Sequence, residues 1–414
     1  MITRRALLGG LAAGAATVST VSGLALAGRA IGAPGAPAGA PARTAARAGR
    51  SAAGMPLHVV NDSGAYANSS VWLYIVGNDG TQQVHVTPDG ELKPVAQADN
   101  GPDGYTDYAI PLAASGTTTL QLPRMSGRIY TALGSKLKFK AVQDGNGRAA
   151  LAYPAGWVAG DPNYDVLHDC AEFTYNAGGM YCNTTMVDMF SVPLALTLSG
   201  AKQQTTGTLK DGARAKIFSD VKAAEGFDRL VVGDKRVIAP GHGLDSGLFA
   251  GDYLAPAIDE AWSAYAAEDL TVTTDAGTFI GRVGGGRLTF TGPRGRRGRA
   301  GAAAGTVSFD KPATRDVLFC DGTLAAPNDG TRGPIAAVLG AALNRSTLTT
   351  QAHQPTTDPA TFYQQRLTNH YAKAMHAATQ DGKAYGFAFD DIAGFASYIE
   401  DGAPKEVTLT LTPF

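Results

Sequence analysis

The chain has 414 residues, 44% of them hydrophobic and 17% charged, enough for a full core and for more than one compact unit. A formal net charge of −1 excludes a global basic field that would draw nucleic acid or anionic lipid. With 52 glycines and many Thr and Val residues, the composition favours strands and turns over a helical bundle.

The first element is an export signal over residues 1–27. Thr3-Arg4-Arg5-Ala6-Leu7-Leu8 sets paired arginines before an apolar run, no further charge occurs until Arg29, and Ala25-Leu26-Ala27 is a small-residue cleavage site. The paired arginines point to the twin-arginine route, with an ordinary secretory signal as the alternative. Either makes the mature protein secreted and extracellular, free of the membrane once processed. A retained anchor fits less well, because the run is rich in Ala, Gly, Ser and Thr. Residues 28–54 read as an Ala/Gly/Pro/Arg linker.

From Met55 the pattern turns to strands. His58–Asn61, Val71–Val76, Thr117–Leu122, Gly127–Ala132 and Leu137–Phe139 are rich in β-branched and aromatic residues and are separated by turn signals. Helices are expected only after about residue 200. Leu254, Ile258, Trp262 and Tyr265 share one helical face, and Pro334 opens a short Ala/Leu helix. Asp358-Pro359 reads as an N-cap with proline at the first helical position. Behind it Tyr363, Leu367, Tyr371 and Met375 form a core-facing stripe. Strands return at Ala384–Phe389 and Glu406–Leu411. The expected fold is mainly β with an α/β part. A β domain over 55–200, completed by 380–414, carries a mixed α/β domain, 201–379, inserted between its pieces.

Other features carry less chemistry. Cys170, Cys182 and Cys320 allow one pair at most, in any of three combinations, and their spacing does not suggest structural zinc. The basic run Arg294–Arg299 lacks interleaved aromatics and reads as a long solvated hairpin loop rather than a nucleic-acid contact. His242, between Gly241 and Gly243, reads as part of a structural turn, because no nucleophile elbow accompanies it. Asp390-Asp391 lacks the rest of an oxygen-ligand cage and reads as a loop contacting a groove.

The most informative segment runs from His168 to Phe190 and reads as a β-hairpin turning at Ala177-Gly178-Gly179. Alternation puts Glu172, Thr174 and Asn176 on one face and sends Phe173 and Tyr175 to the core. An acid, a hydroxyl and an amide in a row suit the hydroxyls of a sugar. On the returning strand Asp188 shares its face with Thr184 and Met186. Two carboxylates on adjacent strands are what glycoside hydrolysis needs: one protonates the leaving oxygen, and the other activates water or attacks the sugar. With the turn centred near Gly178, Glu172 lies opposite Thr184 and Asp188 stands four residues on, about 13 Å along the strand. That spacing leans toward the roughly 6.5–9.5 Å of an inverting pair rather than the roughly 5 Å of a retaining one.

Glu172-Phe173-Thr174-Tyr175-Asn176, followed by Asn183-Thr184-Thr185-Met186-Val187-Asp188-Met189-Phe190, resembles the signature of glycoside hydrolase family 64, whose best-known members are laminaripentaose-producing β-1,3-glucanases. The likeness covers nearly the whole mature chain, from Pro56–Gly64 and Leu122–Tyr130 to Asn369–Tyr371 and Ala384–Asp391. The last piece is also similar to the C-terminal region of thaumatin-like proteins. The resemblance implies a thaumatin-like β domain, a sandwich or barrel, and an α/β domain flanking an open groove. It further implies an inverting mechanism with no metal or other cofactor, Glu172 as general acid and Asp188 as general base. Thr174, Asn176, Tyr181 and Thr185 match residues lining the family's site. Tyr181 stands where the family pattern has Trp, and Met186 where it has Gln. The implied partner is β-1,3-glucan, with neither nucleic acid nor membrane, and the implied state is a monomer. The rival reading is a non-catalytic thaumatin-like β-glucan-binding protein.

Overall fold

The computed structural model describes residues 54–292 and 305–414. The export signal, the linker up to Ala53 and the basic run Arg294–Arg299 lie outside the described residues. The chain divides into two units. The first holds the described residues up to Thr184, with Ser191–Thr208 and Tyr398–Phe414. The second holds Thr185–Phe190 and Leu209–Ser397.

In the first unit, a five-stranded sheet runs in the order Gln203–Thr206, Leu194–Ser199, Glu406–Leu411, Met55–Asn61, Thr118–Leu122. The first and last strands of the described chain are parallel neighbours, Leu57 opposite Val407 and Val59 opposite Leu409. A larger sheet runs Tyr398–Asp401, Gly179–Asn183, Leu167–Asn176, Met125–Leu133, Val71–Asn78, Gln83–Val86, Leu92–Pro94. Alternation decides what is buried. Leu57, Val59, Leu196 and Leu409 from the smaller sheet pack with Leu73, Ile75, Ile129, Phe173 and Cys182 from the larger, in one apolar cluster. Two sheets sharing a core in this way make a sandwich. Each such side chain contributes about 1.5–3 kcal/mol on burial. A second cluster, with Tyr74, Tyr130 and Phe139, covers the other face of the larger sheet. The strand expected at Leu137–Phe139 is reduced to one bridge, Phe139 with Thr106: Leu137 and Phe139 are buried in that cluster, and the ladder proper pairs Lys140–Gln143 with Ala149–Ala152.

The second unit contains a three-stranded sheet, Met189–Phe190, Arg236–Ile238, Val231–Val232, and a five-stranded sheet that includes Leu270–Thr274, Gly277–Gly284, Arg287–Thr291 and Thr306–Phe309. The helix Ala255–Ala267 buries Ile258, Trp262 and Tyr265, as the periodicity predicts. In the helix Arg332–Asn344, every residue from Gly333 on is buried, consistent with its apolar Ala/Leu composition on all sides. Among the described residues no helix is long and apolar enough to cross a membrane.

Two expectations fail here, and for related reasons. No continuous helix follows Asp358. Its side chain caps only the short turn Pro359–Thr361, Tyr363 takes a left-handed φ of 59°, and the helix starts at His370. The intervening segment is held by the end of the helix Arg332–Asn344. Tyr363 N–H donates to the Arg345 carbonyl, the Asn369 N–H and Thr368 hydroxyl to the Asn344 carbonyl, and Asn369 Nδ2 to Asn344 Oδ1. These tertiary bonds replace a helical ladder. Tyr371 and Met375 still reach the core. Likewise Ala384–Phe389 is not a strand of the β unit. It lies in the second unit and makes a single bridge, Tyr385 with Thr185. Asp390, read from the sequence as part of a loop contacting a groove, is fully buried, bonded to Arg345 Nη2 and His376 Nε2 at 2.9 Å each and to the Gly386 amide. Burial pushes its carboxyl up, but His376, Arg345 and that amide outweigh burial and hold it below the usual carboxylate range.

Candidate active site

Glu172 lies in mid-strand, paired on both sides. Its cross-strand partners are Arg128 on Met125–Leu133 and Asn183 on Gly179–Asn183, and Asn183 faces Tyr398 in turn. Two residues along, the next row is Ser126, Thr174, Tyr181, Glu400. Since side chains alternate, both rows project from one face, while Phe173 and Cys182 enter the core on the other. The expected face of Glu172, Thr174 and Asn176 is therefore formed, and Tyr181 joins it. The turn is tight. Asn176 pairs with Gly179, which has a φ of 133°, and a Cβ there would come 2.2 Å from the Asp401 carbonyl oxygen, so the position requires glycine.

The carboxylate of Glu172 is held at both oxygens. Arg128 donates to Oε1 from Nε at 3.1 Å and from Nη2 at 2.9 Å, and Asn183 Nδ2 donates to Oε2 at 3.3 Å. Both partners of the ion pair are largely shielded, with side-chain exposures of 17% for Arg128 and 15% for Glu172. Buried Asn183 Oδ1 has no hydrogen-bond partner among the described residues. Thr174 Oγ1 lies 2.9 Å from Ser126 Oγ, Asn176 Oδ1 accepts from the Gly178 amide, and the Tyr181 hydroxyl donates to the Gly178 carbonyl. Beside Tyr181 an open cleft of about 620 Å³ is lined by Gly178, Lys202, Glu400 and Asp401. The Tyr398 hydroxyl donates to Glu400 Oε2 at 2.6 Å. The strand Tyr398–Asp401 adds polar groups to this face that local pattern did not reveal, because their neighbours lie more than two hundred residues away in sequence.

Asp188 is placed differently from the sequence expectation. The returning strand ends at Asn183, which stands opposite Glu172 where Thr184 was expected. Asp188 therefore does not share a strand face with Thr184 and Met186, and the 13 Å spacing argument does not apply. The chain enters the second unit at Thr185 because other partners take over. Met186 N–H donates to the Tyr385 carbonyl, and the Tyr371 hydroxyl donates to the Met186 carbonyl at 2.6 Å. Thr185 is buried, and its hydroxyl has no partner among the described residues. The Asp188 carbonyl accepts from Ala239 N–H at 3.1 Å, and Asp188 Oδ1 lies 2.8 Å from His242 Nε2. The structure thus brings Glu172, Thr174, Asn176 and Tyr181 together on one sheet, whereas Thr185 and Asp188 belong to the second unit. The cysteines are buried free thiols. Among the described residues no cluster of three His, Cys, Asp or Glu side chains could hold a metal.

A sheet face lined with an acid, hydroxyls and amides has the character of a carbohydrate-processing protein, and the fold agrees with that class. A laminaripentaose-producing β-1,3-glucanase, crystallised with laminaritetraose, matches with a TM-score of 0.77 at 34% identity, over 87% of this chain and 99% of its own. A family 64 β-1,3-glucanase domain from Clostridium beijerinckii matches with a TM-score of 0.77 at 29% identity, over 87% and 98%. The β-1,3-glucanase model of glycoside hydrolase family 64 matches residues 53–411, and the chain belongs to that family. A glucan endo-1,3-β-glucosidase of Cellulosimicrobium cellulans is 35% identical over 379 residues, which is 87% of this chain. The chain spans 65% of that relative's length.

Proposed function

We propose that this protein is a secreted, monomeric endo-β-1,3-glucanase that hydrolyses β-1,3-glucan by inversion and releases short laminari-oligosaccharides such as laminaripentaose. Glu172 is the general acid and Asp188 the general base. The reading rests above all on Glu172: an acid clamped by Arg128 on a face that also offers Thr174, Asn176 and Tyr181 to a sugar. Family membership supports the reaction class.

The bonding around Glu172 favours one oxygen for the acid's proton. Oε1 accepts two N–H bonds from Arg128, so a protonated Glu172 carries its hydrogen on Oε2. That oxygen faces Asn183, whose amide can donate to a carboxylate or, turned over, accept from a carboxylic acid. Asn183 thus serves both protonation states. In the reaction Oε2–H passes to the glycosidic oxygen as its bond to the anomeric carbon breaks. A water attacks that carbon from the opposite face and gives its proton to Asp188. Solvent then restores both carboxyl groups. Inversion rests here on the family resemblance.

Reducing-end release from laminarin or curdlan tests the reading. Release of short oligosaccharides is expected. Binding without release would point instead to a non-catalytic, thaumatin-like glucan-binding protein. N-terminal sequencing of exported protein tests secretion: the mature chain should begin beyond the Ala25-Leu26-Ala27 site, and material retaining Met1 in membranes would contradict it.

A further inference from the structure

Asp188 leaves its strand neighbours behind, so something else must aim it. A carboxyl group on a single χ2 bond has a broad rotational range. A general base needs one oxygen directed at the attacking water, and small misplacements are costly. His242 meets Asp188, with Nε2 at 2.8 Å from Oδ1 and side-chain exposures of 15% and 26% for His242 and Asp188.

We propose that His242 is a positioning residue for the base, its Nε2–H fixing Asp188 Oδ1 and so directing Oδ2 toward the water. The inference rests on the reading of Asp188 as general base. A carboxylate only accepts, so the hydrogen in this contact belongs to Nε2. When Oδ2 takes the water's proton, Oδ1 remains an acceptor and the bond to His242 persists through the cycle.

One chain segment holds both ends of the contact. Met189 pairs with Ile238, and the Ala239 amide bonds the Asp188 carbonyl. Pro240 then opens the short helix Pro240–Asp245 that carries His242. The helix is seated closely on its neighbours. A Cβ on Gly241 would lie 2.9 Å from Phe319 Cζ, and one on Gly243 would lie 2.3 Å from Leu230 Cδ2. The imidazole packs edge-on to Phe319, with ring centroids 5.5 Å apart and planes at 81°. Arg315 covers the Phe319 ring at 4.4 Å and pairs with Asp245 at the end of the same helix. Backbone, helix seat and ring packing therefore fix the direction of Nε2 independently of Asp188. The two glycines flanking His242 are explained by this close seating, which a simple turn would not require.

The test compares His242→Ala, His242→Gln and Asp188→Asn in the full chain on a defined laminari-oligosaccharide. His242→Ala should lower kcat about tenfold to a hundredfold with KM within about twofold. His242→Gln restores an N–H donor and should recover most of that loss. Thermal melting identifies a variant that fails to fold, and His242→Gln then decides. A rise in KM alone, equal kcat losses in folded His242→Ala and His242→Gln, or wild-type kcat in both beside an inactive Asp188→Asn would each overturn the positioning role. An active Asp188→Asn would instead remove Asp188 as the base, whatever His242 does.

Discussion

Glu172 and Asp188 are held by contrasting means. Glu172 sits in the middle of a sheet, its backbone bonded to strands on both sides and its carboxylate clamped by a cross-strand arginine. Asp188 lies just outside a two-residue strand, and its side chain is met by a histidine 54 residues away in sequence. A sheet fixes a side chain's direction through its pleat, whereas a connecting segment must borrow that direction from tertiary contacts. The acid side should therefore resist perturbation, and the base side should depend on a few distant contacts.

The largest expected effect removes the acid itself. Glu172→Gln keeps the shape and the Arg128 contact but cannot donate a proton, so turnover should fall by about 10²–10⁴-fold or more while circular dichroism still shows the native fold. Near wild-type turnover in folded, uncontaminated protein would take Glu172 out of the role.

A second change separates the two sides. Asp390 bonds the Gly386 amide next to Tyr385, which in turn holds Met186 near Asp188. Asp390→Asn leaves Arg345, only 3% exposed, without its carboxylate, at a cost of about 3–5 kcal/mol. Hydrogen exchange should quicken at Met186 and stay unchanged at Phe173. Equal change at both would mean that the two regions share one stability.

The same carboxylate gives a pH dependence. Its pKa is held below the unfolded value of about 3.9, so its stabilisation is complete above that value and is lost as pH falls through the lower folded value. Urea midpoints of wild type and Asp390→Asn should therefore converge on acidification below about pH 4. A constant gap would contradict the assignment.

The smallest effect concerns the cleft beside Tyr181. Glu400→Gln should weaken KM for longer laminari-oligosaccharides about two- to tenfold, on the scale of one hydrogen bond, and leave shorter ones unchanged. Equal effects at every chain length would exclude a distal contact.

Local pattern reached the sheet-held side of the molecule and largely missed the other. Alternation alone places Glu172, Thr174 and Asn176 on one face, and the strands at Met55–Asn61 and Glu406–Leu411 stand where β-branched runs put them. Alternation could not reveal where the second hairpin strand stops, because Tyr385 and Tyr371, nearly two hundred residues on, capture Thr185 and Met186. The stripe from Tyr363 to Met375 was a sound helical pattern that bonds to Asn344 and Arg345 overrode. His242 carried a local signal, a lone imidazole between two glycines after a proline, but its partner is visible only in the fold.

The most direct test of Asp188 as a general base, and so of inversion, is the stereochemistry of the first product. Proton NMR of the fresh digest, read before mutarotation, should show the α-anomer at the new reducing end released from a β-linked glucan, because water attacks the face opposite the leaving group. A β-anomer appearing first, or a glycosyl ester trapped on Asp188, would contradict it.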